Sequence, residues 1–518
     1  MREASDFERF FSLVTGARKN ERLKTIASFL AMFLLLLSYY MVKPLRNSQF
    51  LKEFNTDYLP FFFLFTAFVS VIVTKIFNSF YNKIEVFRLV AYSFFVMMAC
   101  KLCFHFYLPV GGKTAIVLFY IFASVYFLLA TAVLWGCINY IFTSEEGERC
   151  YSFIAIGSMI GGLVGSEISA VFSRGTLRSY ALVFSALVMG SVLLFLLLAV
   201  KSNRSPLRKK TERKNKSEPQ AGFFSDFQEI WANRYVRSLA VMMYAIAAFN
   251  TVLEFQSQKL IDQHMATQAY QQNFQFLEKA LMQSGKQVSK ETGFEFVFGL
   301  KDQPEAQRPA LISAFVQSHD LNLKPDLLFK TYLSYQDKLE AQTREVFSKI
   351  YLFQNILGIA LLFFVSRWLF QRMGVRFTVM ILPSFYTVVI LALFFPINLL
   401  MIESFLVIGY GLNYSLNRAT RELLFTKTSD STIFRLKPMI DGPVRRLGDV
   451  TMALLKLALT VFFVQFLHLP SVRADQIFFV TSLAILGFWI YSVWYVGGRY
   501  DQLKRESAAG LNTESEAD

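Results

Sequence analysis

A chain of 518 residues with 54% hydrophobic, 16% aromatic and only 18% charged residues is too apolar for a soluble protein, where about a quarter of residues are charged. A formal charge of +15 would suit a nucleic-acid partner, but its placement excludes one. With the N-terminus in the cytoplasm, about thirty Lys and Arg lie in or beside cytoplasmic segments, against about seven in the short external loops.

The apolar residues gather in runs of about twenty, enough to cross a bilayer core at about 1.5 Å per residue. Such runs lie near 24–41, 58–77, 87–107, 115–142, 150–173, 179–200, 237–255, 349–370, 376–395, 397–416, 448–468 and 476–496. They predict an all-α polytopic membrane protein with twelve transmembrane helices in two six-helix halves. The N- and C-termini are expected in the cytoplasm, and the bilayer is expected to be a bacterial inner membrane.

Residues 5–15 place Phe7, Phe10, Phe11 and Val14 at helical spacing, a short helix lying on the membrane surface before the first span. The first span is too long for a signal peptide and lacks a small-residue cleavage site, so it reads as an anchor. It ends in SYYMVKPLRNSQFL, with Lys43 and Arg46 three apart at the outer end, where cations are disfavoured. Two readings are open: they snorkel to the headgroups, or they line a cavity and await an anion.

In the third run, Lys101 and His105 read as structural tuning near the membrane surface. Cys100 and Cys103 form a CxxC in the same apolar run, where a thiolate is poorly stabilised. The next loop, LPVGGKT, ends like a phosphate-binding loop but has Tyr107 where the first glycine belongs, and no strand precedes it. In the fifth run, Gly157, Gly161 and Gly165 are spaced by four and let two helix backbones approach closely. Glu167 follows near the outer end, a proton-relay candidate set against simple exposure.

Residues 201–236 form a basic cytoplasmic linker between the halves, which are expected to be 1–200 and 237–496. Trp135-Gly136 with Asn139-Tyr140 is echoed by Tyr410-Gly411 with Asn413-Tyr414 at the fourth span of each half, as in a parallel repeat. Helix 7 (237–255) ends with Asn250 and Glu254, then Lys259. Opposite charge at the equivalent end of helix 1 makes a gate over a central cavity one reading and surface exposure the other. Residues 256–348 read as a small, mainly helical external insert, with helical spacing over 258–283, 306–318 and 326–348. Phe294, Phe296 and Phe298 alternate with Glu295 and Val297, the pattern of a short strand. Residues 497–518 read as a disordered cytoplasmic tail.

The stretch from Tyr410 to Asp449 carries the densest chemistry. Steps of four put Lys437, Asp441, Arg445 and Asp449 within a band of roughly 120° on one helix face. Lys456 falls in the same band deeper in the span. Alternating charge entering a spanning helix usually faces the bundle interior and marks a substrate or ion path. Outside the bilayer the same turns would be an ordinary solvated face.

The segments SLNRATRELLF and FRLKPMIDGPVRRLGD resemble the signature around helices 10 and 11 of the ATP/ADP translocases of intracellular bacteria and plastids, with their wider bacterial relatives. KPLRNSQFL, WGCINY with EEGERCY, and RMGVRFTVMILP are similar to further stretches of that family, so the likeness spreads over most of the chain outside 256–348. The resemblance implies a major-facilitator-like fold and exchange of ATP against ADP and phosphate. It makes Lys43 and Arg46 phosphate contacts, Glu254 the helix 7 acid, and Lys437, Asp441 and Arg445 part of the helix 11 site. Two positions depart from nucleotide exchangers, Asp449 where they tend to carry Lys and Tyr140 where they are often polar or acidic.

The expected function is therefore a secondary transporter of an anionic metabolite, with nucleotide exchange first, and no enzyme, cofactor or metal. Arg445 or Arg446 would grip two phosphate oxygens, while Asp441 and Asp449 neutralise the cations of the empty site. Two alternatives stand beside it. One is a proton-coupled carrier of another organic anion, with Glu167 or Glu254 taking the proton. The other is a receptor or scaffold acting through the insert.

Overall fold

The computed structural model describes residues 15, 17–81, 84–173, 180–202, 223–283, 291–425, 428 and 436–515. Almost all of the surface helix read over 5–15, and the linker from 203 to 222, lie outside them. Among the described residues every regular element is helical. Twelve helices are long and apolar enough to cross a membrane. Spans 1 to 6 are Arg22–Glu53, Thr56–Thr74, Phe87–Tyr107, Gly112–Ile141, Arg149–Val171 and Ala181–Lys201. Spans 7 to 12 are Arg234–Asn273, Pro325–Val365, Gly374–Ala392, Leu399–Phe425, Ile440–Phe466 and Val472–Glu506. The chain is an integral membrane protein.

It forms two compact units, one of Met1–Phe62, Phe68–Arg208 and Gln258–Leu352, the other of Phe63–Ala67, Lys209–Ser257 and Phe353–Asp518. Span 1 is the axis of the first. Gly157, Gly161 and Gly165 of span 5 lie against the backbone carbonyls of Phe29, Phe33 and Leu37, also spaced by four. The helices therefore touch backbone to backbone, as small-residue interfaces allow. At the start of span 1, Lys24 pairs with Glu146 at 2.7 Å and Glu21 with Arg149 at 2.7 Å. Glu146 also closes a capping box with Thr143, whose backbone N–H it accepts at 2.9 Å.

The insert belongs to the first unit. Spans 7 and 8 run on into it, and helices Gln275–Gln283, Thr292–Gly299 and Arg308–Ser318 complete it. The phenylalanine alternation is not a strand. Phe294 and Phe298 stack at 5.5 Å one helical turn apart, while Phe296 stacks on Phe315 at 3.8 Å. Spacing by two across five residues also places its outer members at i and i+4, and here the helix wins.

Charge fixes the insert to the end of span 1. Arg308 donates to Glu53 at 2.7 Å, Gln336 donates to the other Glu53 oxygen at 3.2 Å, and Lys52 reaches Asp337 at 3.2 Å. Burial works against the Arg308 charge, but the Glu53 hydrogen bond and the charges of Tyr332, Glu53 and Glu305 outweigh it and hold its pKa above the ordinary guanidinium value. Lys113, from the rejected phosphate-loop motif, donates to the carbonyls of Lys301 at 2.5 Å and Gln303 at 3.3 Å.

In the second unit, Gly448 of span 11 meets the Tyr244 carbonyl and the Ala248 N–H nitrogen of span 7. The tail expectation is corrected: the last helix continues from Ser471 to Ser515.

A methyl group tests the glycine contact. Gly161→Ala drives Cβ into the Phe33 backbone, which cannot turn away, whereas Gly190→Ala meets only the flexible end of Met98 and Gly487→Ala meets open space. Thermal unfolding in detergent should show Gly161→Ala destabilised by about 1–3 kcal/mol. Gly190→Ala and Gly487→Ala should stay within about 1 kcal/mol of the parent. Equal midpoints for all three variants would refute the contact.

Candidate functional site

Lys43 and Arg46 are buried, each 8% exposed, so neither snorkels to the end of span 1. Pro44 between them removes one helical N–H donor. The Lys43 ammonium lies 3.9 Å from the Tyr351 ring centroid and 5.6 Å from that of Tyr40. The Arg46 guanidinium covers Tyr120 at 4.6 Å. Its Nε and Nη2 both donate to Asn47 Oδ1, at 2.9 and 2.7 Å, and Nη1 donates to Ser124 at 3.0 Å. Asn47 Nδ2 in turn donates to the Tyr351 hydroxyl at 2.9 Å. Ring faces and neutral oxygens are thus among the partners of these two buried cations. Both ring partners of Lys43 are tyrosines, one from span 8, a pairing with no local trace in the sequence.

The second unit has its own constellation. On span 7, Asn250 Oδ1 accepts from the Tyr386 hydroxyl at 2.5 Å, and Thr251 donates to Asp449 Oδ1 at 2.9 Å. The Tyr410 hydroxyl lies 3.5 Å from Glu254 Oε2, and Tyr410 stacks on Tyr414 at 6.0 Å. Arg446 donates to Asp449 Oδ2 at 3.0 Å. Arg445, Glu254, Asp449 and Arg418 are all electrostatic neighbours of Tyr414. Spans 7, 10 and 11 therefore bring Glu254, Arg445 and Asp449 around one tyrosine. The close approach at Gly448 explains why Asp449, the next residue, reaches Thr251.

The even stripe along helix 11 does not survive in that form. Ile440–Val444, with Pro443 inside, is a π-helical turn, whose extra residue rotates the rest of the span by about 100° from a regular helix. Lys437 is instead drawn to Glu422 of span 10, which Arg421 also reaches at 3.6 Å. Asp441, whose buried Oδ1 has no hydrogen bond, neighbours Arg418, as does Arg445. Lys456 is ion-paired with Asp475 of span 12. Glu167 is exposed near the end of span 5.

Sequence reasoning missed Thr251, Tyr351, Tyr386, Tyr410, Tyr414, Arg418, Arg421 and Glu422. The last three sit in SLNRATRELLF, where Arg418, Arg421 and Glu422 at helical steps were a usable signal. Lys101, read from the sequence as structural tuning, has a closely defined set of partners. It is fully buried, and its ammonium donates to Ser38 at 2.6 Å, Tyr126 at 3.0 Å and Ser185 at 3.0 Å.

No protein-family model matches the chain, and no curated protein matches it in sequence. Among solved structures it is similar to a mutant of the nucleoside transporter NupG, with 12% identity and a TM-score of 0.49 over 92% of this chain and 98% of that one. NupG itself aligns with 14% identity and a TM-score of 0.43, over 92% and 99%. A bacterial homolog of the human lysosomal transporter Spinster, inward-facing and occupied, aligns with 12% identity and a TM-score of 0.43, over 97% and 98%.

Lys456 and Asp475, 12% and 10% exposed, form an ion pair between spans 11 and 12. Asp475→Asn strands the lysine charge and should cost about 3–5 kcal/mol, whereas Lys456→Met with Asp475→Leu should recover most of it. Unfolding midpoints measure this. A double variant no better than the single one would show that the pair is not the unit that matters.

Proposed function

We propose that the chain is a secondary transporter that moves an anionic metabolite by alternating access, with a nucleotide as the first cargo to test. The observation that carries this reading is the burial of Lys43 and Arg46 within a spanning helix. A charge there is expensive, and such residues mark substrate or ion paths. Held by ring faces and neutral oxygens, they can exchange those contacts for phosphate oxygens through charge-assisted hydrogen bonds. Arg46 would present a planar fork and Lys43 a point charge.

The second unit has cations of its own, Arg445 and Arg446, and Asp449 is the partner of Arg446. Tyr386, Tyr410 and Tyr414 add hydroxyls and ring faces for a base or another flat group. The resemblance of the helix 10–11 segments to ATP/ADP translocases supports a nucleotide, and exchange of ATP for ADP is the form of transport to examine first.

The purified protein should be stabilised against heat by its cargo in a screen of ATP, ADP, other nucleotides and phosphate, because a ligand of the folded state raises the unfolding midpoint. In reconstituted vesicles, Arg46→Ala and Arg445→Ala should each lose the equivalent of about 1.5–3 kcal/mol of charged hydrogen bonding, roughly tenfold to a hundredfold in uptake of labelled nucleotide. Lys456→Met with Asp475→Leu should retain uptake. Full uptake by both arginine variants, with the protein folded, would remove them from the path.

A further inference from the structure

Lys101 is a titratable group that the proposed transport path does not use. It stands in span 3, 0% exposed, with partners from three other spans: Ser38 of span 1, Tyr126 of span 4 and Ser185 of span 6. Among the described residues no carboxylate forms an ion pair with it. The other ionisable groups around it are few. Span 6 carries none from Ala181 to Val200, and its own helix carries Arg88, Tyr92, Cys100, Cys103, His105 and Tyr107. Span 4 contributes Tyr126, and span 1 contributes Tyr39, whose ring centroid lies 6.2 Å from that of Tyr126.

The hydrogen-bond inventory of this cluster fits both charge states of the amine. Ser38 donates its hydroxyl to the Ser185 carbonyl at 2.8 Å, and Ser185 donates to the Ser38 carbonyl at 2.8 Å. Both serine protons are then used, and both serine oxygens remain acceptors. A protonated Lys101 has three N–H donors and no acceptor. It finds three oxygens, while the Tyr126 hydroxyl, 3.2 Å from Ser38 Oγ, turns its proton there. A neutral Lys101 has two N–H donors and one lone pair. It keeps both serines, and the Tyr126 hydroxyl rotates to donate to Nζ at the same 3.0 Å.

No polar atom of the cluster is stranded in either state. Removal from water disfavours the ammonium, while three oxygens and the Tyr126 ring face, 4.1 Å away, favour it. The two opposing effects fall on one atom.

We propose that Lys101 is a reversible proton-binding site and that its proton is the coupling ion of the transporter, an assignment that rests on the transport reading. On protonation, a hydronium ion gives one proton to the Nζ lone pair and leaves as water, a new N–H forms as that O–H breaks, and the Tyr126 hydroxyl swings from Nζ to Ser38. The Ser38–Ser185 clamp between spans 1 and 6 accepts from the amine in both states, so the charge is sensed where those helices meet.

Stability against pH decides the proton site without any transport. Full-length protein in detergent is unfolded between about pH 5 and pH 9, a range into which burial can bring a lysine, as parent, Lys101→Met and Lys101→Arg. A group that is neutral when folded and charged when unfolded changes the folding equilibrium tenfold per pH unit, and a group charged in both states changes it not at all. Reversible binding therefore gives a break in the difference between parent and Lys101→Met: stability rises with pH above the break and is level below it. A straight line across the range, flat or sloped, overturns the proposal. Should Lys101→Met fail to fold, Lys101→Arg, always charged, supplies the level reference.

In vesicles, a pH gradient alone should drive nucleotide uptake by the parent. Both variants should lose at least tenfold of it while keeping exchange down a nucleotide gradient. Undiminished pH-driven uptake in both variants, or none in an active parent, removes the coupling role. An absence of nucleotide transport under every condition strikes the proposed function instead, and the break in stability then judges Lys101 by itself.

Discussion

The contact on which the first unit depends is the backbone seam between spans 1 and 5. Gly157, Gly161 and Gly165 bring one helix so close to the carbonyls of Phe29, Phe33 and Leu37 that no side chain intervenes. A seam of this kind fixes both the rotation and the height of span 1. Its other faces then carry several of the unit's polar contacts: Lys24 against Glu146, Ser38 against Ser185 and Lys101, Lys43 and Arg46 among tyrosines, and Glu53 under Arg308. A span free to turn by one residue, about 100°, would lose all of these partners together.

The spans were legible because their signal is a length of apolar chain that a bilayer demands and that no partner is needed to read. Gly157, Gly161 and Gly165 were legible for a similar reason, since spacing by four is a local property. Lys101 was not. Its partners lie 63, 25 and 84 residues away, and a lone lysine in an apolar run looks the same whether it reaches headgroups or a cage of hydroxyls. Tyr351, against Lys43, was hidden in the same way behind some three hundred residues of chain.

Where the expectation for helix 11 departs from the structure, the error is the assumption of one uniform pitch. Gly442-Pro443 lies inside the supposed stripe, and a proline there removes an N–H and favours a wider turn. Beyond that turn the face changes, so Lys437 pairs with Glu422 while Asp449 reaches Thr251. The phenylalanines of the insert mislead in the opposite direction. Their period of two is real, but over five residues it cannot be told from a helix that stacks Phe294 on Phe298.

The insert bears on how the first unit is built. Residues 258–352 join the first unit, yet they are reached through the uninterrupted helices Arg234–Asn273 and Pro325–Ala360, which begin and end in the second. Glu53 and Glu340 are buried beside Arg308 and Lys52, so removing the insert would leave the Glu53 carboxylate in place without the cation that compensates it. The insert is therefore part of how span 1 is terminated, not an appendage to it.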